Sequence, residues 1–355
     1  MKKTALFILI AGLYSITAYA EHSEYLKSLT SSAREKGLAR ESLELLQPLP
    51  GPGKEKVAEK LRSGMAQGAF GRALAVKLQR PTQQGKKSVG YVTDKGSLEV
   101  FADGSRFRLR GNLEGVKAVP ASSGTGQMPA DRLEKLGRDF IQEQLKSLVV
   151  LSREDKLTFL GTRYLRQGGS DLQGKAGSEE LLANIAIFGR EVSGVPVVGS
   201  GSKVAVWFSP DGQVVGVDAD WPTYRRSTQN VPLLKRDALM KRVESSTTRF
   251  AETKDSRLTR FECGYVDLGA TRRTARTPVQ PGCSVAFQGT DPESGAVSWA
   301  KVEYVPAAQK VLPDARWPLA SYIARSGEPE PGKQIPVSGV KPAPNAPQRT
   351  IEPRK

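Results

Sequence analysis

The 355-residue sequence predicts an α+β fold in which helices pack on antiparallel sheets. Two observations support this prediction. An amphipathic helical segment followed by several short strands occurs twice, beginning near residues 129 and 232. Residues 23–80 also carry apolar side chains at helical spacing, on both sides of a Pro-Gly-rich break. We therefore expect a helical N-terminal region followed by two tandem α+β units.

The first twenty residues have the organisation of a bacterial secretory signal peptide. Met1–Lys3 is positively charged, Ala5–Leu13 is apolar, and Ala18–Ala20 has the small-x-small pattern of a cleavage site. The apolar run is shorter than the roughly 20 residues that a membrane-spanning helix needs. We therefore expect a mature chain that starts at Glu21, is periplasmic or secreted, and has no transmembrane segment.

Residues 21–125 are predicted to contain the helical region and a small β-meander. Leu43 and Leu46 belong to the helical pattern of residues 23–80. Between residues 88 and 117 the period changes, and three short strand-like runs are separated by tight turns that contain Asp and Gly. These runs predict the meander.

The two predicted α+β units occupy residues 126–228 and 229–310. Each begins with a helix whose apolar residues share one face. Alternating strands follow, and Pro210–Gly212 has the chemistry of a turn between two of them. Residues 311–355 are rich in Pro, Gly and charge, which predicts an extended linker and a disordered tail.

The two cysteines of the chain are predicted to form a disulfide. Cys263 and Cys283 lie on successive predicted strands, and disulfides persist in exported proteins. A bridge closing a loop of this size contributes roughly 3 kcal/mol on the chain-entropy model. The alternative is a reactive thiol, but neither cysteine has a His nearby in the sequence that would activate it.

Composition excludes most His-dependent catalysis. The sequence has 53 Lys and Arg residues against 37 Asp and Glu, a net charge of +16, and a single His. That residue, His22, lies close to the predicted mature N-terminus. The chain therefore has no Ser-His-Asp triad and no His-based metal site, and we expect neither a metal nor a cofactor.

Two motifs carry candidate enzyme chemistry. Ser200–Lys203 matches the S-x-x-K pattern of serine acyl-transfer enzymes, but it lies in a Gly-rich turn and lacks the companion motifs. Asp218 and Asp220 alternate at a strand end beside Trp221, so their side chains point to one side. Such a carboxylate pair could serve a glycosidase, and the alternative is a solvated strand end.

The positive charge has one focus, Arg272, Arg273 and Arg276, inside the predicted disulfide loop. Such a loop could contact an anionic envelope polymer or an acidic protein patch, and the alternative is a solvated basic loop. Other basic residues are scattered and lack an interleaved aromatic platform. With the predicted export, this scatter argues against a nucleic-acid partner.

Residues Gly189–Gly199, which read GREVSGVPVVG, are followed by a strand, the Pro210–Gly212 turn and another strand. This pattern resembles the propeptide domains of thermolysin-type and fungalysin-type metalloproteases and the related PepSY domains. The resemblance covers residues 129–222 and extends in diverged form to residue 306. It implies tandem PepSY-like or cystatin-like units with a non-catalytic role. No His-Glu-x-x-His catalytic domain follows, so any inhibition of a protease would act in trans.

We therefore expect an exported, non-enzymatic binding protein. The most specific form of this expectation is an inhibitor or chaperone of an exported hydrolase. Its partner would be an exported protein such as a protease. One alternative is an envelope carbohydrate-active enzyme that uses Asp218 and Asp220. Another is a basic adhesin or coat component that binds an anionic envelope polymer. The sequence leaves the oligomeric state open.

Overall fold

The computed structural model describes residues 40–66, 81–85, 87–101, 103–113, 116–168, 178–251, 256–273, 277–290 and 297–310. Several predictions fall outside these described residues. They are the predictions of a signal peptide, of helix over residues 23–39 and 67–80, and of a linker and tail over 311–355, together with the candidate residues His22 and Arg276.

Strands dominate the described part of the chain, with 51% of residues in strands and 19% in helices. The described α-helices are α1 (Lys54–Ala66), α2 (Ala130–Gln144) and α3 (Arg236–Ala251). The described strands are β1 (Ser42–Pro48), β2 (Gln83–Gln84), β3 (Ser88–Thr93), β4 (Gly96–Phe101), β5 (Arg106–Gly111), β6 (Val119–Pro120), β7 (Asp155–Gln167), β8 (Glu180–Val192), β9 (Val195–Gly199), β10 (Lys203–Phe208), β11 (Val214–Asp220), β12 (Tyr224–Pro232), β13 (Ser256–Asp267), β14 (Gln280–Thr290) and β15 (Val297–Pro306). None of these helices combines the length and hydropathy that a membrane crossing requires.

The predicted α+β fold, with its helical N-terminal region, is wrong. Leu43 and Leu46, expected in a helix, lie in β1, which pairs antiparallel with β12 from Ser42 opposite Pro232 to Pro48 opposite Tyr224. The run Leu-Glu-Leu-Leu is too short for its apolar spacing to separate helix from strand. Pairing with a strand almost 190 residues away decides the conformation. Among the described residues of 23–80, α1 is the part that is helical as predicted.

Apart from β12, the described strands of the two predicted units form one mixed sheet instead of separate antiparallel sheets. Thirteen strands belong to it, and eleven of them follow the order β15-β14-β13-β9-β8-β10-β11-β5-β4-β3-β2. The predicted meander is present as β3, β4 and β5, and it continues the sheet through β11. A parallel contact between β13 and β9 joins the remaining strands. The prediction of tandem units missed the β5–β11 and β9–β13 pairings, because both join segments that are distant in the sequence.

Helices α1 and α2 pack on one face of the sheet, which we call the covered face. Leu133 and Ile141, two turns apart on α2, are buried in a core that includes Val57 of α1 and Phe188 of β8. Gly137 permits this close packing, because a Cβ there would lie 2.6 Å from the ring of Phe188. Alternation along β8 then fixes which side of each neighbouring strand faces the helices.

A second core lies under α3 and contains the predicted disulfide. Cys263 of β13 and Cys283 of β14 lie directly opposite each other in the strand register, and their sulfur atoms are bonded. Both cysteines are buried in this core together with Phe261 and Phe287. The prediction of a bridge between these two cysteines is confirmed.

Candidate functional site

A buried ion cluster lies where the loop after β13 meets β11. Arg273 Nη1 donates to the two carboxylate oxygens of Asp267 at 2.8 and 2.7 Å. Its Nη2 donates to Asp220 Oδ1 at 2.5 Å and to Ser105 Oγ at 2.7 Å. The side chains of Arg273, Asp267 and Asp220 are only 3%, 1% and 8% exposed. One guanidinium therefore connects β13, β11 and the turn before β5.

Further donors surround the Asp267 carboxylate of this cluster. Tyr224 Oη donates to it at 2.6 Å, Ser202 Oγ at 3.1 Å and the backbone N–H of Gly269 at 3.0 Å. Burial alone raises the pKa of Asp267, but Arg273 and these donors outweigh burial and hold the pKa below its ordinary value. Asp267 is therefore the stable anion of the cluster.

Asp220 is the weaker acid of the pair. Burial and the nearby Asp267 carboxylate raise the pKa of Asp220 above its ordinary value, against the opposing effect of Arg273. The backbone N–H of Ala270 donates to its second oxygen at 2.8 Å. Two carboxylates sharing one cation in a dry site make the cluster sensitive to the loss of that cation.

The predicted carboxylate pair is divided between two ion clusters. Asp220 bonds to Arg273, whereas Asp218 accepts from Arg108 at 3.3 Å and from Arg110. The two side chains do share a face of β11, as predicted. Each is already paired with arginine, and neither is arranged as an acid facing a free base, which glycoside hydrolysis requires.

The predicted basic loop is also divided. Arg273 points inward and is held by carboxylates, so it is not available to an external anion. Arg272 is exposed, and Arg276 lies outside the described residues. The structure therefore leaves Arg272 as the described surface cation of this set.

The S-x-x-K motif does not form an acyl-transfer site. Ser200 Oγ donates to the carbonyl of Leu268 at 2.5 Å, and Ser202 belongs to the Asp267 cluster. Lys203 Nζ is buried without a hydrogen-bond partner among the described residues. Burial lowers the pKa of Lys203 to about 8.

A second buried ion pair, which sequence analysis missed, lies between the two cores. Arg190 donates to both oxygens of Asp155 at 3.1 and 2.5 Å, and the two side chains are 3% and 2% exposed. Its guanidinium also lies over the rings of Trp221 and Tyr224, 5.1 and 4.8 Å from their centroids. Arg190 belongs to the Gly189–Gly199 motif. The presence of this charged residue in the mostly apolar strand β8 could have predicted a buried ion pair.

The sheet face opposite α1 and α2 is not covered by any described helix, and we call it the open face. Directly opposed residues on paired strands lie on the same face, so the strand registers define its rows. Its central row, running from β7 across to β4, consists of Arg163, Ile185, Trp207, Gly216, Arg110 and Ser97. The next row brings Ala205, Asp218 and Arg108 together.

An arginine–tryptophan cluster occupies the centre of the open face. The Arg110 guanidinium carbon lies 3.7 Å from the centroid of Trp207, and both Arg110 and Arg108 pair with Asp218. Gly216 leaves room for this stack, because a Cβ there would lie 3.1 Å from Arg110 Cδ. Burial lowers the pKa of Arg110, and Asp218 partly opposes this effect.

The partial exposure of its charged side chains places this cluster at the protein surface. The Arg108 side chain is 46% exposed, that of Asp218 34% and that of Arg110 21%. Arg110 Nη1 and Trp207 Nε1 are buried beneath this surface and have no hydrogen-bond partner in the described part of the chain. Sequence analysis missed this cluster. The alternation of three arginines with Phe107 and Leu109 on β5 was its signal.

In the described residues, no group of three or more His, Cys, Asp or Glu side chains is placed to hold a metal ion. No family model matches the chain, and no curated protein matches it. The chain is similar to the crystal structure of an uncharacterized protein from Eubacterium rectale ATCC 33656, with a TM-score of 0.44 and 12% sequence identity. That similarity covers 75% of this chain and 84% of the other.

Proposed function

We propose that the chain is an exported, non-enzymatic binding protein whose partner is another protein. One observation carries the proposal. Helices α1 and α2 pack on one side of the sheet, whereas the other side presents Trp207 stacked on Arg110 beside the half-exposed Arg108. Arginine and tryptophan are enriched among the residues that dominate binding energy at protein interfaces.

The carboxylates favour binding over the carbohydrate-active alternative. A glycosidase needs one acid that can donate a proton and a second that can act as nucleophile or base. Asp218 and Asp220 instead each pair with arginine, and the Asp220 side chain is 8% exposed. Both groups therefore hold the structure together rather than face a substrate.

Export and the resemblance to PepSY domains belong to the same proposal. The signal-peptide pattern supports export, and the buried disulfide suits an oxidising compartment. The resemblance to protease propeptides favours an exported hydrolase as the partner, which the protein would inhibit or help to fold.

Co-purification from the native host tests the proposal. Tagged protein, expressed with its own leader, is recovered from periplasm and culture fluid after mild crosslinking, and retained proteins are identified by mass. We expect one exported protein at near-stoichiometric amount, and a complex of the same two purified chains by gel filtration. Absence of such a complex, or cell-wall glycan cleavage that Asp218→Asn abolishes, would contradict the proposal.

A further inference from the structure

We propose that the open face is the docking surface for an acidic protein, with Arg108 meeting carboxylates of the partner and Trp207 at the centre of the contact. This inference rests on the proposed function and adds to it the site and the chemistry of the partner.

The charge on the open face selects an acidic partner. Four arginines, three from β5 and one from β7, lie on this face. They face two carboxylates, Glu99 and Asp218, because Asp220 is already bonded to Arg273. Complementary charge speeds encounter with the matching surface and disfavours other basic proteins.

The same face is better suited to a protein than to a phosphate polymer. Its carboxylates stand among the arginines, with Glu99 directly opposite Arg108 in the register of β4 and β5. A polyanion gains its affinity from cations that neutralise successive phosphates, and interspersed carboxylates oppose this. Apolar side chains lie near both ends, since Val92 is 56% and Leu160 43% exposed. An apolar contribution with mixed charge is typical of protein interfaces.

The dimensions of the face also agree with a protein contact. Seven strands, from β7 to β3, occupy a width of about 34 Å at the usual strand spacing, and three rows of side chains occupy about 20 Å. The resulting area of roughly 700 Å² approaches the ~800 Å² that each partner contributes to a standard interface.

The Arg110 side chain is already held in one position before a partner binds, whereas the more exposed Arg108 side chain can still move to contact the partner. The Trp207 ring and Asp218 already hold the Arg110 guanidinium in place, which reduces the entropy lost when a partner arrives. Arg108 is more exposed and contacts Asp218 only through Nε at 3.3 Å. A partner carboxylate can therefore reach Arg108 without breaking the Trp207 stack.

Peptide and polymer probes test the proposal with the full-length mature chain. Fluorescent decaglutamate is titrated in low salt against the wild-type protein, Arg108→Glu, Glu99→Gln and Arg132→Glu. Arg132 is an exposed residue of α2, on the other side of the sheet, so its reversal is the matched control. Polygalacturonate and polyphosphate at equal charge are titrated in parallel, and circular dichroism verifies that each variant is folded.

We expect decaglutamate to bind with a Kd that rises about tenfold in Arg108→Glu and falls in Glu99→Gln, while Arg132→Glu changes it less than twofold. Equal losses in Arg108→Glu and Arg132→Glu would overturn the proposal by showing diffuse attraction to a basic chain. Tighter, Arg108-dependent binding of polygalacturonate or polyphosphate would overturn it in favour of an anionic polymer. Absence of Arg108-dependent binding by any probe would also overturn the proposed docking surface. In that case a stoichiometric complex recovered from the native host would still support the proposed function.

Discussion

Replacing Arg273 with methionine removes the cation that both Asp220 and Asp267 bind in the buried cluster, and leaves the two carboxylates close together. Removing one partner of a buried ion pair costs about 3–5 kcal/mol of folding free energy. Here both carboxylates are at least nine-tenths buried, and both lose the same guanidinium. We expect Arg273→Met to lower the free energy of unfolding by about 4 kcal/mol at pH 7.

The pH dependence of this loss identifies its cause. Without Arg273, burial and mutual repulsion place the pKa of at least one carboxyl above its unfolded value. The folded variant then binds more protons than the unfolded chain, so its stability rises as the pH falls toward that unfolded value. The deficit relative to wild type should therefore shrink between pH 7.5 and pH 5.

Urea denaturation followed by tryptophan fluorescence measures the effect at both pH values. Arg272→Met is the matched control, because this neighbouring side chain is exposed and its loss should cost less than about 0.5 kcal/mol. Adding Asp220→Asn to Arg273→Met should restore part of the stability. A loss below about 1 kcal/mol, or a deficit that is the same at pH 7.5 and pH 5, would refute the reasoning.

Three further experiments test other features of the structure. The pKa of Lys203 is about 8 in the folded protein, below its ordinary value of 10.5. Between these pH values the unfolded chain therefore binds more protons than the folded one. Wild-type stability should consequently rise from pH 8 to pH 10. Lys203→Met should remove this rise in the free energy of unfolding, which is up to roughly 3 kcal/mol and is measured by urea titration. If the pH dependence of stability is unchanged in the variant, the lowered pKa of Lys203 is contradicted. Replacing Cys263 and Cys283 together by serine should cost about 3 kcal/mol by the same method, and an unchanged midpoint in urea would be inconsistent with a stabilising bridge. Gly264→Ala places a Cβ 2.0 Å from a backbone oxygen of β9 and should lower stability by about 3 kcal/mol. Gly85→Ala, with its nearest atom at 3.8 Å, should leave the melting temperature unchanged, and equal effects of the two would argue against the close approach.

Local patterns predicted local structure well. The meander, the helix at α2 and the turn at Pro210–Gly212 follow from alternation, amphipathicity and turn chemistry within a few residues. The disulfide was also predictable, because two cysteines on successive strands, in a chain predicted to be exported, have few alternatives.

What sequence analysis missed depends on distant segments. The pattern at Leu43 and Leu46 fits helix or strand, and β12 decides between them. Asp218 and Asp220 were correctly placed on one side, but the arginines that bind them lie 110 and 53 residues away. A pair of carboxylates looks alike in a sequence whether it faces a substrate or a guanidinium.

The β1–β12 ribbon has a consequence for the order of folding. β1 pairs with residues almost 190 positions later, and Tyr265 Oη donates to the carbonyl of Glu44 at 2.8 Å across 221 positions. Closing such long loops costs entropy that later contacts must repay. β1 therefore remains unpaired until most of the chain has folded. In that interval β12, which pairs with no other described strand, has no strand partner. A strand of a second chain could then pair with it and trap a misfolded dimer.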